Sequence, residues 1–169
     1  DSQFTPEDFV ERYNSDLANT LGNLLNRTVS MVNKYFDGTL PTDIIERNEQ
    51  TKELNDVKIE TINNYITSMD TYHISNAINE VWKLLSRANK YIDETEPWVL
   101  YKEEKQELLK DVMYNLIDSL RLASIMIRPI MPNISKKIFE QLGLNETERV
   151  YENLVINNIE EGVEVTTNP

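Results

Sequence analysis

Cysteine is absent from this 169-residue chain, and with it go disulfides, thiol nucleophiles and thiolate zinc sites. A single histidine, His73, argues against a multi-histidine metal centre or a Ser-His-Asp relay. Glycine occurs four times and proline six, and no glycine-rich phosphate loop is present. No apolar run approaches the roughly 20 residues a membrane-spanning helix needs. Basic residues are outnumbered, 17 against 29 acidic ones, and the net charge of −12 argues at first sight against a nucleic-acid partner. What remains is 40% apolar and 27% charged, the composition of a globular chain able to bury one core.

The chain opens at Asp1-Ser2-Gln3 without an initiator methionine, signal peptide or Arg-rich presequence, and it stops at Asn168-Pro169. The expectation is a domain excised from something longer, working in the cytoplasm.

Scarce glycine and a 3.6-residue apolar period predict an all-α fold. Thr5-Pro6-Glu7-Asp8 reads as a helix start, and Asn14-Ser15-Asp16 offers a second cap. Leu17, Leu21, Leu24, Thr28, Met31 and Tyr35 then form one face, closed at Asp37-Gly38. A charged stretch from Asp43 to about Asp70 keeps Leu54, Val57, Thr61 or Ile62, and Ile66 or Met69 on one side. It predicts a long helix with a solvated outer face. A third helix is predicted from about Ile74 to Ile92, with Ile74, Ile78, Val81, Trp82 and Leu85 inward, broken by Glu96-Pro97-Trp98. A fourth runs from about Glu103 to Arg128 on a stripe including Leu109, Val112, Leu116 and Leu120. After Pro129 and Pro132 comes a short last helix, closed at Gly143. The expected fold is an antiparallel bundle of four to five helices over residues 1–145. Residues 146–169 read as a short irregular tail or linker, with a β-like patch at Val150–Ile156 and an extended piece at Gly162–Val165.

Most chemical motifs are decoys. Asn26, Asn133 and Asn145 head glycosylation sequons, but nothing points to a secreted chain. Glu46, Glu49, Glu53, Glu103 and Glu104 read as solvated helix faces, and His73 as a capping or packing residue at a helix junction. The inventory does not look like an enzyme's.

Two features stand apart. Beside the apolar face of the first helix runs a polar stripe of Thr20, Asn23, Arg27, Ser30 and Lys34. Asn23 and Arg27 lie one turn apart, so an amide and a guanidinium can reach one target and read a base edge and a phosphate. The plain reading is a solvated face. In the second feature, Trp98 follows Pro97 at a helix end, outside any apolar stripe, and Lys83, Arg87 and Lys90 step along the preceding helix. An indole so placed is a stacking platform for an unpaired base, worth about 1–3 kcal/mol. The plain reading is a core tryptophan anchoring the next loop, as Trp82 is expected to be.

Together the segments resemble the anticodon-binding domain of the methionyl-tRNA synthetase family, within class I of the aminoacyl-tRNA synthetases. The likeness includes the run from Phe9 to Asn19, Leu21-Gly22-Asn23-Leu24-Leu25-Asn26-Arg27, the run from Ile78 to Asp93, Glu96-Pro97-Trp98, and Ile127-Arg128-Pro129-Ile130-Met131-Pro132. It closes on the Gly162–Val165 tail. The first and last motifs recur loosely in the valyl, isoleucyl, leucyl and cysteinyl relatives. Asn23, Arg27 and the Asn89-Lys90-Tyr91-Ile92-Asp93…Pro97-Trp98 run are far more specific.

The resemblance implies that Trp98 stacks on an unpaired anticodon base and that Pro97 holds its loop. It implies that Asn23 and Arg27 hydrogen-bond the anticodon, chiefly the first base, the cytosine of CAU. Lys83, Arg87 and Lys90 are candidates for RNA backbone contact, or for surface pairing with Glu80, Asp93 or Glu94. The partners it implies are the anticodon loop of tRNA(Met) and an upstream catalytic domain of the same chain, with neither DNA nor membrane. ATP with magnesium, and any zinc, would belong to that catalytic domain, whose HIGH-like and KMSKS-like signatures are missing here. The full-length protein would then be a methionine–tRNA ligase, and this piece its non-catalytic recognition part. The competing readings are the equivalent domain of another class I synthetase, or an acidic helical interaction module. The charge of −12 leaves recognition to a small neutral-to-basic patch around Asn23, Arg27, Lys90 and Trp98.

Overall fold

The computed structural model describes the backbone of residues 6–166 and the side chains from residue 11. The Thr5 cap and the Asn168-Pro169 end lie outside the described residues. The first helix, α1 (Pro6–Phe36), runs unbroken through Asn14-Ser15-Asp16, so the second cap expected there is helix interior. It ends where Asp37 and Gly38 turn into the left-handed region, at φ 52° and 85°. Next come α2 (Glu49–Asp70), α3 (Ile74–Thr95), the short α4 (Pro97–Lys102), α5 (Gln106–Ile127) and α6 (Pro132–Gln141). Three residues join α2 to α3, and short turns join α5 to its neighbours, so sequential helices run back against each other.

Three expectations shift. The second helix begins at Glu49, not near Asp43. Asn48 ahead of it is extended, and its backbone N–H donates to Asp111 Oδ2 at 2.8 Å, while its Nδ2 donates to the Leu108 carbonyl at 3.0 Å. A helix extended back through 48 would surrender that anchorage to α5. Ile74, expected inward, is exposed, because it is the first residue of α3, beside the three-residue turn that joins α2 to α3. The Val150–Ile156 patch is no strand: it holds a 3-10 turn at Tyr151–Asn153, after another at Glu146–Glu148. Its carbonyls are claimed by Arg121, whose Nη1 donates to Asn153 O at 2.7 Å and whose Nη2 donates to Val155 O.

The largest shift concerns α5. One apolar stripe predicts a half-buried helix, yet every residue from Asp111 to Ile127 is buried. It is the central rod, with α1, α3, α4 and α6 packed around it and α2 closing over Asp111 and Asp118. Its polar residues are therefore paired. Asp111 accepts from Thr51 at 2.5 Å, and Asp118 faces the fully buried Lys58 at 3.0 Å and Arg121 at 2.9 Å. Burial works against the Asp118 carboxylate, but Lys58 and Arg121 outweigh it and hold its pKa below the usual carboxylate value. Asp118 also accepts the backbone N–H of Asn157 at 2.9 Å, so one carboxylate ties α2, α5 and the tail.

The tail is thus strapped to the bundle. Glu164 forms an isolated antiparallel bridge with Thr39, the extended piece expected at Gly162–Val165. Leu40 N–H donates to Val163 O at 2.9 Å, and Val165 N–H to Gly38 O at 2.8 Å. Gly143 lets it pass: at φ 72°, a Cβ there would meet Glu164 O at 1.9 Å.

Candidate nucleic-acid interface

The turn from α3 to α4 sets the site. Glu96 closes α3 and opens α4 in one left-handed residue, φ 47°, ψ 67°, its N–H donating to Ile92 O at 2.9 Å. Pro97 then occupies the first helical position, where its missing N–H costs nothing and its fixed φ suits the helix. Pro97 and Leu100 are buried, which pins α4 to the bundle and turns Trp98 outward at 43% exposure. The break at Glu96-Pro97-Trp98 is legible in the sequence, but α4 itself is not, since six residues carry no period.

Asn23 and Arg27 project from the outer side of α1, both exposed, while Leu21, Leu24 and Thr28 face the core. Arg27 Cζ lies 5.8 Å from the centroid of the Trp98 indole, a cation–π contact. Neither Arg27 nor Asn23 is committed to a carboxylate or carbonyl among the described residues. Two segments distant in sequence thus meet on one surface: an aromatic plate with one guanidinium over it, and an amide one helical turn away. Such a set can stack a base, donate two hydrogen bonds to a carbonyl and ring nitrogen, and add one positive charge.

The basic row on α3 behaves differently. Lys83, at 61% exposure, holds Glu80 at 2.8 Å. Arg87 is only 7% exposed and sits between Glu94 at 2.8 Å and Glu53 at 3.4 Å. Of the two readings open for Arg87, RNA backbone contact or pairing with a neighbouring carboxylate, its contacts among the described residues are the second, and it is buried against α2. Lys90 is exposed. All three line a groove between α2 and α3 with Val57, Glu60 and Trp82, and neither Arg27 nor Trp98 lines it. Trp82 is half-buried, edge-on to Tyr13 with centroids 6.0 Å apart. His73 occupies the N-cap of α3, its ring Nδ1 2.9 Å from Thr71 Oγ1. Among the described residues no three acidic or histidine side chains cluster as metal ligands would. Among the described residues no helix is long and apolar enough to cross a membrane.

Residues 1–29 match the profile of "tRNA synthetases class I (M)". Residues 41–169 match the profile "Anticodon binding domain of methionyl tRNA ligase", and the chain belongs to that family. Among curated relatives, the methionine–tRNA ligase of Enterococcus faecalis is 48% identical over 168 residues, covering 99% of this chain and 25% of the relative. That of Caldanaerobacter subterraneus is 49% identical over 166 residues, covering 98% and 26%. The chain therefore spans about a quarter of their length. The crystal structure of apo Mycobacterium tuberculosis methionyl-tRNA synthetase superposes with a TM-score of 0.84 at 30% identity, covering 98% of this chain and 34% of that one. The same enzyme with methionyl-adenylate gives 0.80 at 31%, covering 96% and 32%.

Proposed function

We propose that this chain is the part of a cytoplasmic methionine–tRNA ligase that reads the CAU anticodon of tRNA(Met). The observation that carries the reading is the meeting of Arg27 and Trp98. Family membership supplies the substrate class, and the exposed indole with an uncommitted guanidinium and amide beside it supplies the chemistry. In this reading Trp98 stacks on an unpaired anticodon base, with Pro97 fixing the angle at which the ring is offered. Arg27 and Asn23 donate to the acceptors of the first base, the cytosine. Lys90 remains as a backbone contact, whereas Lys83 and Arg87 are engaged with Glu80, Glu94 and Glu53. Activation of methionine with ATP, and any zinc site, belongs to an upstream catalytic part, the second partner. Energy gained at the anticodon then appears as selectivity in charging.

The test uses the longer enzyme. Asn23→Ala and Arg27→Ala lower tRNA charging by at least tenfold, consistent with about 1–3 kcal/mol for a specific base contact. Methionine-dependent pyrophosphate exchange without tRNA stays near wild type. Loss of exchange, or undiminished charging, contradicts the assignment.

A further inference from the structure

Eight large hydrophobic side chains are exposed among the described residues, and the six-residue α4 contributes two of them: Trp98, and Tyr101 at 44%. Three positions apart, they sit one above the other on a single helix face. Tyr101 also reaches α1. Its ring stacks on Tyr35, with centroids 4.6 Å apart and an interplanar angle of 28°. Tyr35 lies eight residues past Arg27, about two turns further along α1. The Lys34 ammonium stands 5.9 Å from the Tyr35 centroid. The α1–α4 seam thus carries, in series, the exposed Trp98 indole with Arg27 beside it and the exposed Tyr101 ring stacked on a half-buried Tyr35 that has Lys34 beside it.

A stacked pair that merely closed a seam would bury its rings or tie its hydroxyls to protein acceptors. Here Tyr35 covers one face of Tyr101 and much of Tyr101 stays open, while neither hydroxyl reaches a described acceptor. Lys34 stands beside the pair and, like Arg27, holds no carboxylate among the described residues. Free cations on one strip of a chain of charge −12 mark where a polyanion is tolerated.

We propose that the Tyr35–Tyr101 stack, with Lys34 beside it, is a second stacking contact that takes the loop nucleotide next to the one held by Trp98. Tyr35 acts as a positioning residue: it sets the plane in which Tyr101 meets the base, and Lys34 neutralises the phosphate between the two nucleotides. The inference rests on the anticodon-reading assignment above and extends its site by one nucleotide along the seam.

The test is a titration of the 169-residue chain with CAU stem-loops carrying 2-aminopurine at one loop position at a time, read by fluorescence. Tyr101→Ala weakens binding about tenfold, the worth of stacking one base, and abolishes quenching at one nucleotide only. Trp98→Ala abolishes it at the adjacent nucleotide. Tyr101→Trp retains both signals, and Lys34→Gln lowers the salt slope by about one phosphate's share. Wild-type affinity and quenching in Tyr101→Ala, with Trp98→Ala impaired, overturn this inference and leave the anticodon reading standing. Equal loss of quenching at both nucleotides in Tyr101→Ala, with a lowered melting temperature, also overturns it, since the pair is then only a structural brace. Unaltered binding in Trp98→Ala removes the anticodon reading and this inference together.

Discussion

Two regions of this molecule are rich in charge, and they treat it in opposite ways. On α5, Asp118 is buried and answered on three sides, by Lys58, Arg121 and the Asn157 amide. On the α1–α4 face, Arg27 stands in solvent over Trp98 with no carboxylate beside it. Arg87 repeats the first pattern on α3, between Glu53 and Glu94. A cation already neutralised has little left to offer a phosphate, and a cation left uncommitted in a chain of charge −12 stands out. Pairing status therefore separates residues that hold the fold from residues that can hold a ligand, where residue type alone does not.

The largest expected effect comes from breaking the buried region. Asp118→Ala leaves Lys58 and Arg121 without their carboxylate and frees the tail at Asn157. Unfolding by urea should show a loss of about 3–5 kcal/mol. The acid limb gives a second check. The folded-state pKa of Asp118 lies below its usual 3.8, so its contribution is full above that value and is lost as pH falls through the folded pKa. Asp118→Asn should flatten the acid side of the stability curve and leave the neutral side without a new pH dependence.

The exposed region should respond in affinity instead. Trp98→Ala should weaken binding of a CAU stem-loop by about 1–3 kcal/mol in a fluorescence-anisotropy titration. Its urea midpoint should stay close to wild type, because the indole is largely outside the core. Loss of fold in Trp98→Ala would erase the distinction between the two regions.

Arg27→Lys sharpens the comparison further. It keeps the charge but loses the planar fork, so discrimination between CAU and a loop with another first base should fall by about 1–2 kcal/mol while the salt dependence holds. The smallest effect is assigned to Lys83→Gln. Its ammonium already faces Glu80, so neither affinity nor its salt slope should move.

Much of the fold was legible in the sequence because the helices obey their own local rules. Scarce glycine, the Asp37-Gly38 stop and the Pro132 restart mark boundaries that tertiary contacts leave in place. Asn48 and Lys58 were not legible. The start of α2 is decided by a hydrogen bond to α5, and a lysine in a charged stretch reads as solvated until Asp118 is found opposite it. The all-round burial of α5 escaped for the same reason: its polar residues are matched by partners on other elements. In the candidate site, Pro97-Trp98 after a helix break and the Asn23–Arg27 spacing were visible. That Arg27 lies over Trp98 was not, because the angle at which α4 leaves α3 depends on the left-handed Glu96 and the burial of Leu100. Tyr101 gave no local signal, because its meaning comes from Tyr35 across the seam.

The most direct test is a paired titration of this chain, with Trp98 emission as the signal and Trp98→Phe as control. One stem-loop carries CAU and the other a changed first base. Tighter binding to CAU is predicted, by about tenfold, with the difference lost in Arg27→Ala. Equal affinity for the two loops, or a preference that survives Arg27→Ala, would contradict the claim that the Arg27–Trp98 face reads the anticodon.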